Sequence, residues 1–301
     1  MRNCLKGSTP RFGFKRKAKG ADIYPAYKNV RAAKERCYPD PVTATDSRCE
    51  VGLQTLLDLT SRRLLLLQEA VVGTVVTCDG ETTNLVMVSK WGCDGSTGHS
   101  QYKQKASSEN LSDSDLFLSS VVPLQLHLEK DSNTILWQNP RPSSPRPIRF
   151  QFKKETLEVA NTEVQDIESQ IRMLLPTEVT VLGCPVNVRH ALHLTMIDGK
   201  IISATLLPKG QLSEEAKEAQ NKDLKKFRES FARKISREET NKDLMRRLLV
   251  TSDPVISAMR CLPNLKKRSL AHEVLQLLDS PSISAPSMET ESSGEEEIDG
   301  L

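Results

Sequence analysis

The hydrophobic period changes along this chain of 301 residues, and that change sets the fold class. Leu53, Leu56, Leu57, Leu64 and Leu67 recur at helical spacings, which predicts an amphipathic helix over 51–70. Two short β-like runs follow, 71–77 and 85–90, with Cys78-Asp79-Gly80 between them as a hairpin signal. Residues 98–115 are polar and Ser-rich and read as a loop. A strand is expected over 121–128, on a sheet edge because of Pro123, and a shorter one over 134–137. The run NPRPSSPRP, 139–147, reads as a connector without regular structure. Ile148, Phe150 and Phe152 then alternate with polar residues as in a half-buried strand. Val164, Ile167, Ile171 and Leu174 mark one helix face, and 179–182 and 192–197 are strand-like. From Ser213, a plausible N-cap, the pattern is helical, with Ala216, Leu224, Phe227 and Phe231 on an apolar side. Thr251-Ser252-Asp253-Pro254 ends that region, and 272–278 is a last short helix. Strands with interspersed helices and no internal repeat give a mixed α/β class.

Charge is segregated along the chain. Residues 1–20 hold seven Lys/Arg and no acid, and 279–301 hold seven Asp/Glu and no base. Neither end carries enough apolar surface to offset the entropy of ordering, so both are expected to be disordered. The basic end suits a nuclear-import signal or a phosphate-contacting arm. Segment 209–249 carries twelve Lys/Arg against eight acids. No apolar run approaches the ~18 residues of a membrane span. The seven cysteines include no Cys-x-x-Cys pair, which argues against a zinc ribbon or disulfide scaffold and for a reducing compartment.

Two aspartates sit where strands end: Asp94 in Trp91-Gly92-Cys93-Asp94-Gly95, and Asp198 in Met196-Ile197-Asp198-Gly199. Carboxylates on adjacent strands, joined by a Glu from a helix, form an oxygen-only cage for two Mg²⁺ or Mn²⁺ ions. Such a pair, ~3.5–4 Å apart, activates a water or a 3′-hydroxyl and stabilises the leaving oxygen of a phosphodiester. The helix after Ser213 offers Glu214, Glu215 and Glu218 as third acids. The same Asp-Gly pairs also suit plain hairpin turns, with 192–197 and 201–207 pairing across Asp198-Gly199.

Four blocks carry a resemblance: VSKWGCDGSTGHSQYKQK; VVPLQLHL with ILWQNPRPSSPRPIRFQF; LTMIDGK; and LLPKGQLSEEAKEAQNKDLKKFRESFARK. From about residue 23 to about residue 278 the chain resembles transposase-derived proteins related to Transib transposases and to the catalytic core of the V(D)J recombination-activating recombinase. The resemblance implies an RNase H-like mixed sheet with flanking helices and a DDE-type mechanism dependent on Mg²⁺ or Mn²⁺. Carried over by motif, the metal-binding and catalytic acids fall on Asp94, Asp198 and Glu218, with Glu215 the near alternative for the third. In the family a long insert bearing zinc ligands and DNA-contacting surface separates the second and third acids. Here the two are twenty residues apart, with no Cys or His between, so no zinc is expected and the core reads as internally deleted near 199–201.

The resulting organisation is a basic disordered N-terminus (1–22), an entry segment and leading helix (23–70), a truncated RNase H-like DDE core (71–236), a C-terminal helical extension (237–278) and an acidic disordered tail (279–301). DNA is the expected partner, through Lys222, Lys225, Lys226, Arg228, Arg233 and Lys234 neutralising phosphates. A homodimer is one candidate assembly, no membrane is expected, and the expected location is nuclear. The deletion is expected to strip away the elements that brace the Glu-bearing helix, leaving a DNA-binding remnant with degraded strand transfer. The alternatives are an active Mg²⁺-dependent transposase or endonuclease, and a non-catalytic interaction protein acting through its acidic tail.

Overall fold

The computed structural model describes residues 25–76, 81–98, 113–139, 145–194, 215–230 and 235–259. Both tails, the turn at 78–80, most of the Ser-rich loop, Asp198, Ser213, Phe231, Arg233, Lys234 and the helix expected at 272–278 lie outside these residues.

The described strands form one mixed sheet. They are β1 (Val42–Ala44), β2 (Arg48–Val51), β3 (Thr83–Thr97), β4 (Asp115–Leu128), β5 (Ile135–Gln138), β6 (Arg146–Gln151), β7 (Thr177–Val181) and β8 (Cys184–Leu194). The order is β1-β2-β6-β4-β3-β8-β7, with β5 on β4. All neighbours are antiparallel except β3 and β8, which run parallel from Thr83↔Val186 to Trp91↔Leu194. The helices are α1 (Tyr27–Glu35), α2 (Leu53–Leu67), α3 (Glu69–Val72), α4 (Leu157–Arg172), α5 (Glu215–Ser230), α6 (Arg237–Thr251) and α7 (Pro254–Met259). None is long and apolar enough to cross a membrane. The mixed α/β class is therefore as expected from the change of period.

Helix α2 buries Leu53, Leu56, Leu57 and Leu64 of the predicted stripe and Leu65 beside them, while Leu67 is only half-buried. Thr156 caps α4 by accepting a hydrogen bond from the Val159 N–H, and Ser236 caps α6 in the same way from Glu239. The parallel β3–β8 pair needs a crossover, and α4 lies within it.

Four local expectations are corrected. Over its described residues, 71–76, the apolar run expected at 71–77 is not a strand. The turns continue past α2, with Val72 N–H on Gln68 O and Gly73 N–H on Glu69 O, and Val72 is buried. Short apolar runs fit helix and strand alike, and here the preceding helix decides. The strand expected at 85–90 extends to Thr97, because residues as turn-like as Gly92, Asp94 and Gly95 pair with 117–120 of β4. Pro123 is not on an edge. It faces Ser89 at a register shift in β3–β4, in the gap where β4's other side changes partner from β6 to β5. A bulge and a gap in the ladder leave a missing N–H without cost. Arg146 and Pro147 belong to β6, again with the proline at a register shift, opposite Ser120.

Strand β6 is also buried throughout rather than on alternate residues. Its Arg149 tolerates this because Glu163 lies 2.9 Å away, Glu50 2.7 Å and Asp166 2.6 Å. Strands β7 and β8 join through Leu182 and Gly183, with φ of 51° and 84°. Two consecutive positive φ values between paired Val181 and Cys184 define a two-residue hairpin turn, formed without the usual Asn-Gly or Asp-Gly. Cys37, Cys49 and Cys93 are buried, and Cys184 is disulfide-bonded.

Candidate functional site

Asp94 occupies the body of β3, opposite Leu118 of β4, and is half-buried. It is not a turn residue. Three residues before it, Trp91 pairs with Leu194, the last described residue of β8. Asp198 follows Leu194 by four residues and lies outside the described residues. Parallel neighbours head toward the same end of a sheet, so β3 and β8 both run toward the Asp94 end.

Helix α5 comes onto that end. The Asn221 side-chain amide donates from Nδ2 to Asp94 Oδ2 at 3.0 Å. Around the helix at ~100° per residue, Gln220, Leu224 and Phe227 form the packed side. Asn221 sits on its flank and Glu218 about 60° further out. Lys225, one turn beyond Asn221, reaches the end of β3: its Nζ would lie 3.9 Å from a Cβ placed on Gly98.

Beside Asp94, the Gly95 N–H donates to Glu155 Oε2 at 3.2 Å. A Cβ on Gly95 would stand 2.5 Å from the Glu155 Cβ, so only glycine permits this approach. Glu155 comes from the segment that enters α4.

Glu218 is at the surface. Its carboxylate accepts a hydrogen bond from Lys222 Nζ at 2.8 Å, with both side chains mostly exposed. That hydrogen bond, reinforced by the ammonium charge, lowers the Glu218 pKa from its ordinary value. Lys226 is exposed as well. Arg228, from the same predicted basic stripe, points inward. It is 3% exposed, pairs with Asp113 at 2.8 Å and stacks its guanidinium 4.5 Å from the Phe152 ring centre. Its charge is committed to the interior, because a cation this desolvated needs a carboxylate more than a solvated phosphate does.

The expectation that the Glu-bearing helix is unbraced is corrected by these contacts. Gln220 Nε2 donates to Pro145 O at 3.1 Å, Leu224 is buried, and Arg247 of α6 lies over Phe227 at 5.5 Å. Arg237 of α6 shares Asp113 with Arg228 and also lies over Phe152, at 5.3 Å. The brace comes from residues that flank β4 and β6 (Asp113, Pro145 and Phe152) and from α6, mostly remote from α5 in sequence.

Among the described residues, no three of His, Cys, Asp and Glu stand together as a metal-binding group. Two hard donors are adjacent all the same. Asp94 offers a carboxylate, and Asn221 Oδ1 is a buried amide oxygen with no hydrogen-bond donor among the described residues. Oxygens of this kind fit Mg²⁺ or Mn²⁺.

Sequence reasoning placed Asp94 where a strand ends rather than in its body, placed Glu218 on a helix, and missed Asn221 and Glu155. Asn221 had a signal, three residues after Glu218 and therefore on a neighbouring helical position. Glu155 had none, because only the sheet register brings it to Gly95. No protein-family model matches the chain, and no curated protein is significantly similar to it.

Proposed function

We propose that the chain is a transposase-derived DNA-binding protein on an RNase H-like DDE core, with Asp94, Asp198 and Glu218 as its acids and strand transfer lost. One observation carries the reading: Asn221, on the helix that bears Glu218 and the exposed lysines, hydrogen-bonds Asp94 of β3. The parallel β3–β8 pair supports it, because both strands run toward the same end of the sheet. Lys225 at the end of β3 supports a phosphate backbone as the partner. When bound, Mg²⁺ or Mn²⁺ would activate a water or 3′-hydroxyl against the phosphodiester. Asp94, with Asn221 beside it, would hold it. Strand transfer is lost on this reading because Glu218 pairs with Lys222 at the surface.

Purified protein should bind duplex DNA at low salt, with log affinity falling linearly against log salt. Nicking in Mg²⁺ or Mn²⁺ should match that of Asp94→Ala. Absence of binding at low salt refutes the DNA-binding reading. Divalent-dependent nicking that disappears in Asp94→Ala establishes the second reading, an active endonuclease, which the bracing of α5 by Arg228 and Asp113 favours.

A further inference from the structure

We infer that Asn221 is the positioning residue of the first acid, holding the Asp94 carboxylate in the orientation in which it takes a divalent ion. The inference rests on the DDE reading of Asp94 and adds to it a residue that the three-acid motif does not contain. The amide Nδ2 meets Asp94 Oδ2 at an ordinary hydrogen-bond length of 3.0 Å. A carboxylate has about four lone-pair positions, and this bond takes one of them. Metal-binding carboxylates are characteristically hydrogen-bonded by a second residue that fixes their rotamer.

Two further observations separate this role from ordinary packing. The other end of the same amide, Oδ1, is buried with no donor among the described residues. A group there only to fill space would leave no acceptor stranded, since an unmet buried acceptor is a standing cost. Asn221 also sits on a helix whose hold comes from elsewhere: Gln220 on Pro145, buried Leu224, and Arg228 on Asp113. The helix does not need the Asn221–Asp94 bond to stay docked, so the bond is available to orient the acid.

The test uses the full chain and Mn²⁺ alone, titrated by electron paramagnetic resonance. Asn221→Ala should weaken Mn²⁺ binding by about 10–100-fold, the usual consequence of removing a residue that orients a ligand. Asn221→Asp, the same size with a carboxylate in place of the donor, should also weaken binding, because the Nδ2–H that orients Asp94 is gone. Binding as tight as in the native protein would make this position a metal ligand and overturn the inference. A purely structural role would lower the unfolding midpoint of both variants and leave their Mn²⁺ affinity unchanged. If Asp94→Ala abolishes Mn²⁺ binding while Asn221→Ala leaves it unchanged, the positioning role is refuted and the DDE reading stands. If the native protein binds no Mn²⁺, the metal reading fails and the positioning inference, which rests on it, is overturned with it. Should Asn221→Ala fail to fold, Asn221→Ser gives the same comparison.

Discussion

Arg228 of α5 pairs with Asp113, just ahead of β4, at 2.8 Å, with the side chains 3% and 11% exposed. Arg237 of α6 reaches the same carboxylate, and both guanidiniums lie over Phe152. One acid thus ties two consecutive helices to the start of a central strand. A buried pair of this kind contributes little over well-packed apolar groups, but removing one partner strands the other charge.

Asp113→Ala is therefore expected to destabilise the protein by about 3–5 kcal/mol, because it removes the carboxylate that two buried guanidiniums share. Urea unfolding measures the loss. Amide exchange over 215–230 should quicken in the same variant. Unchanged exchange there would mean that α5 is held without Asp113.

The inward turn of Arg228 separates it from its lysine neighbours in any contact with DNA. Lys225→Ala should lower the slope of log affinity against log salt by about one, the share of a single phosphate contact. Arg228→Lys, measured where the protein remains folded, should leave that slope alone. A reduced slope in Arg228→Lys would place its charge on the DNA side.

Gly95→Ala tests the close approach at the site. The added methyl would overlap the Glu155 side chain at 2.5–2.6 Å and force it or β3 to move. Overpacking of this kind costs about 1–3 kcal/mol. The second variant Glu155→Ala with Gly95→Ala should recover part of the loss, as a double-mutant cycle would read out.

His190 carries a pH signature. Burial pulls its pKa from 6.5 down to about 4, against a smaller opposing pull from Asp58. Its Nε2 meets Thr177 Oγ1 at 2.8 Å, and Thr177 donates to Asp58 Oδ1. Between pH 6.5 and 4 the unfolded chain binds a proton there that the folded one excludes, so stability rises with pH through this window and levels above it. At about 1.4 kcal/mol per pKa unit the effect is a few kcal/mol at most. His190→Gln should flatten that part of the pH–stability curve. An identical slope in the variant would refute its assignment to His190.

Leu182 holds φ at 51°, which costs a branched residue energy that Asn largely avoids. Leu182→Asn should stabilise the β7–β8 hairpin by about 0.5–1 kcal/mol in thermal unfolding. Equal or lower stability would mean that the contact between Leu182 and the chain near Gly73 outweighs the strain.

What the residues determined on their own is the local periodicity. The leucine spacing of α2, the face of α4 led by Val164 and Ile167, and the strand character around Ile148 and Phe150 follow from the chain itself, because burying a stripe is a near-neighbour condition. Glu218 on a helix belongs to the same class of inference, whereas the continuation of β3 through Asp94 does not. Tertiary structure decided the remainder. It placed Pro123 and Pro147 at register shifts inside the sheet, carried Arg228 to Asp113, and delivered Asn221 and Glu155 to Asp94 and Gly95. Each of these depends on strand register or on contacts between residues 60 or more apart along the chain for the site and on neighbouring ladders for the prolines. Local pattern contains no record of which partner will be opposite. That choice is made by the sheet as a whole when every polar group it buries must find a partner.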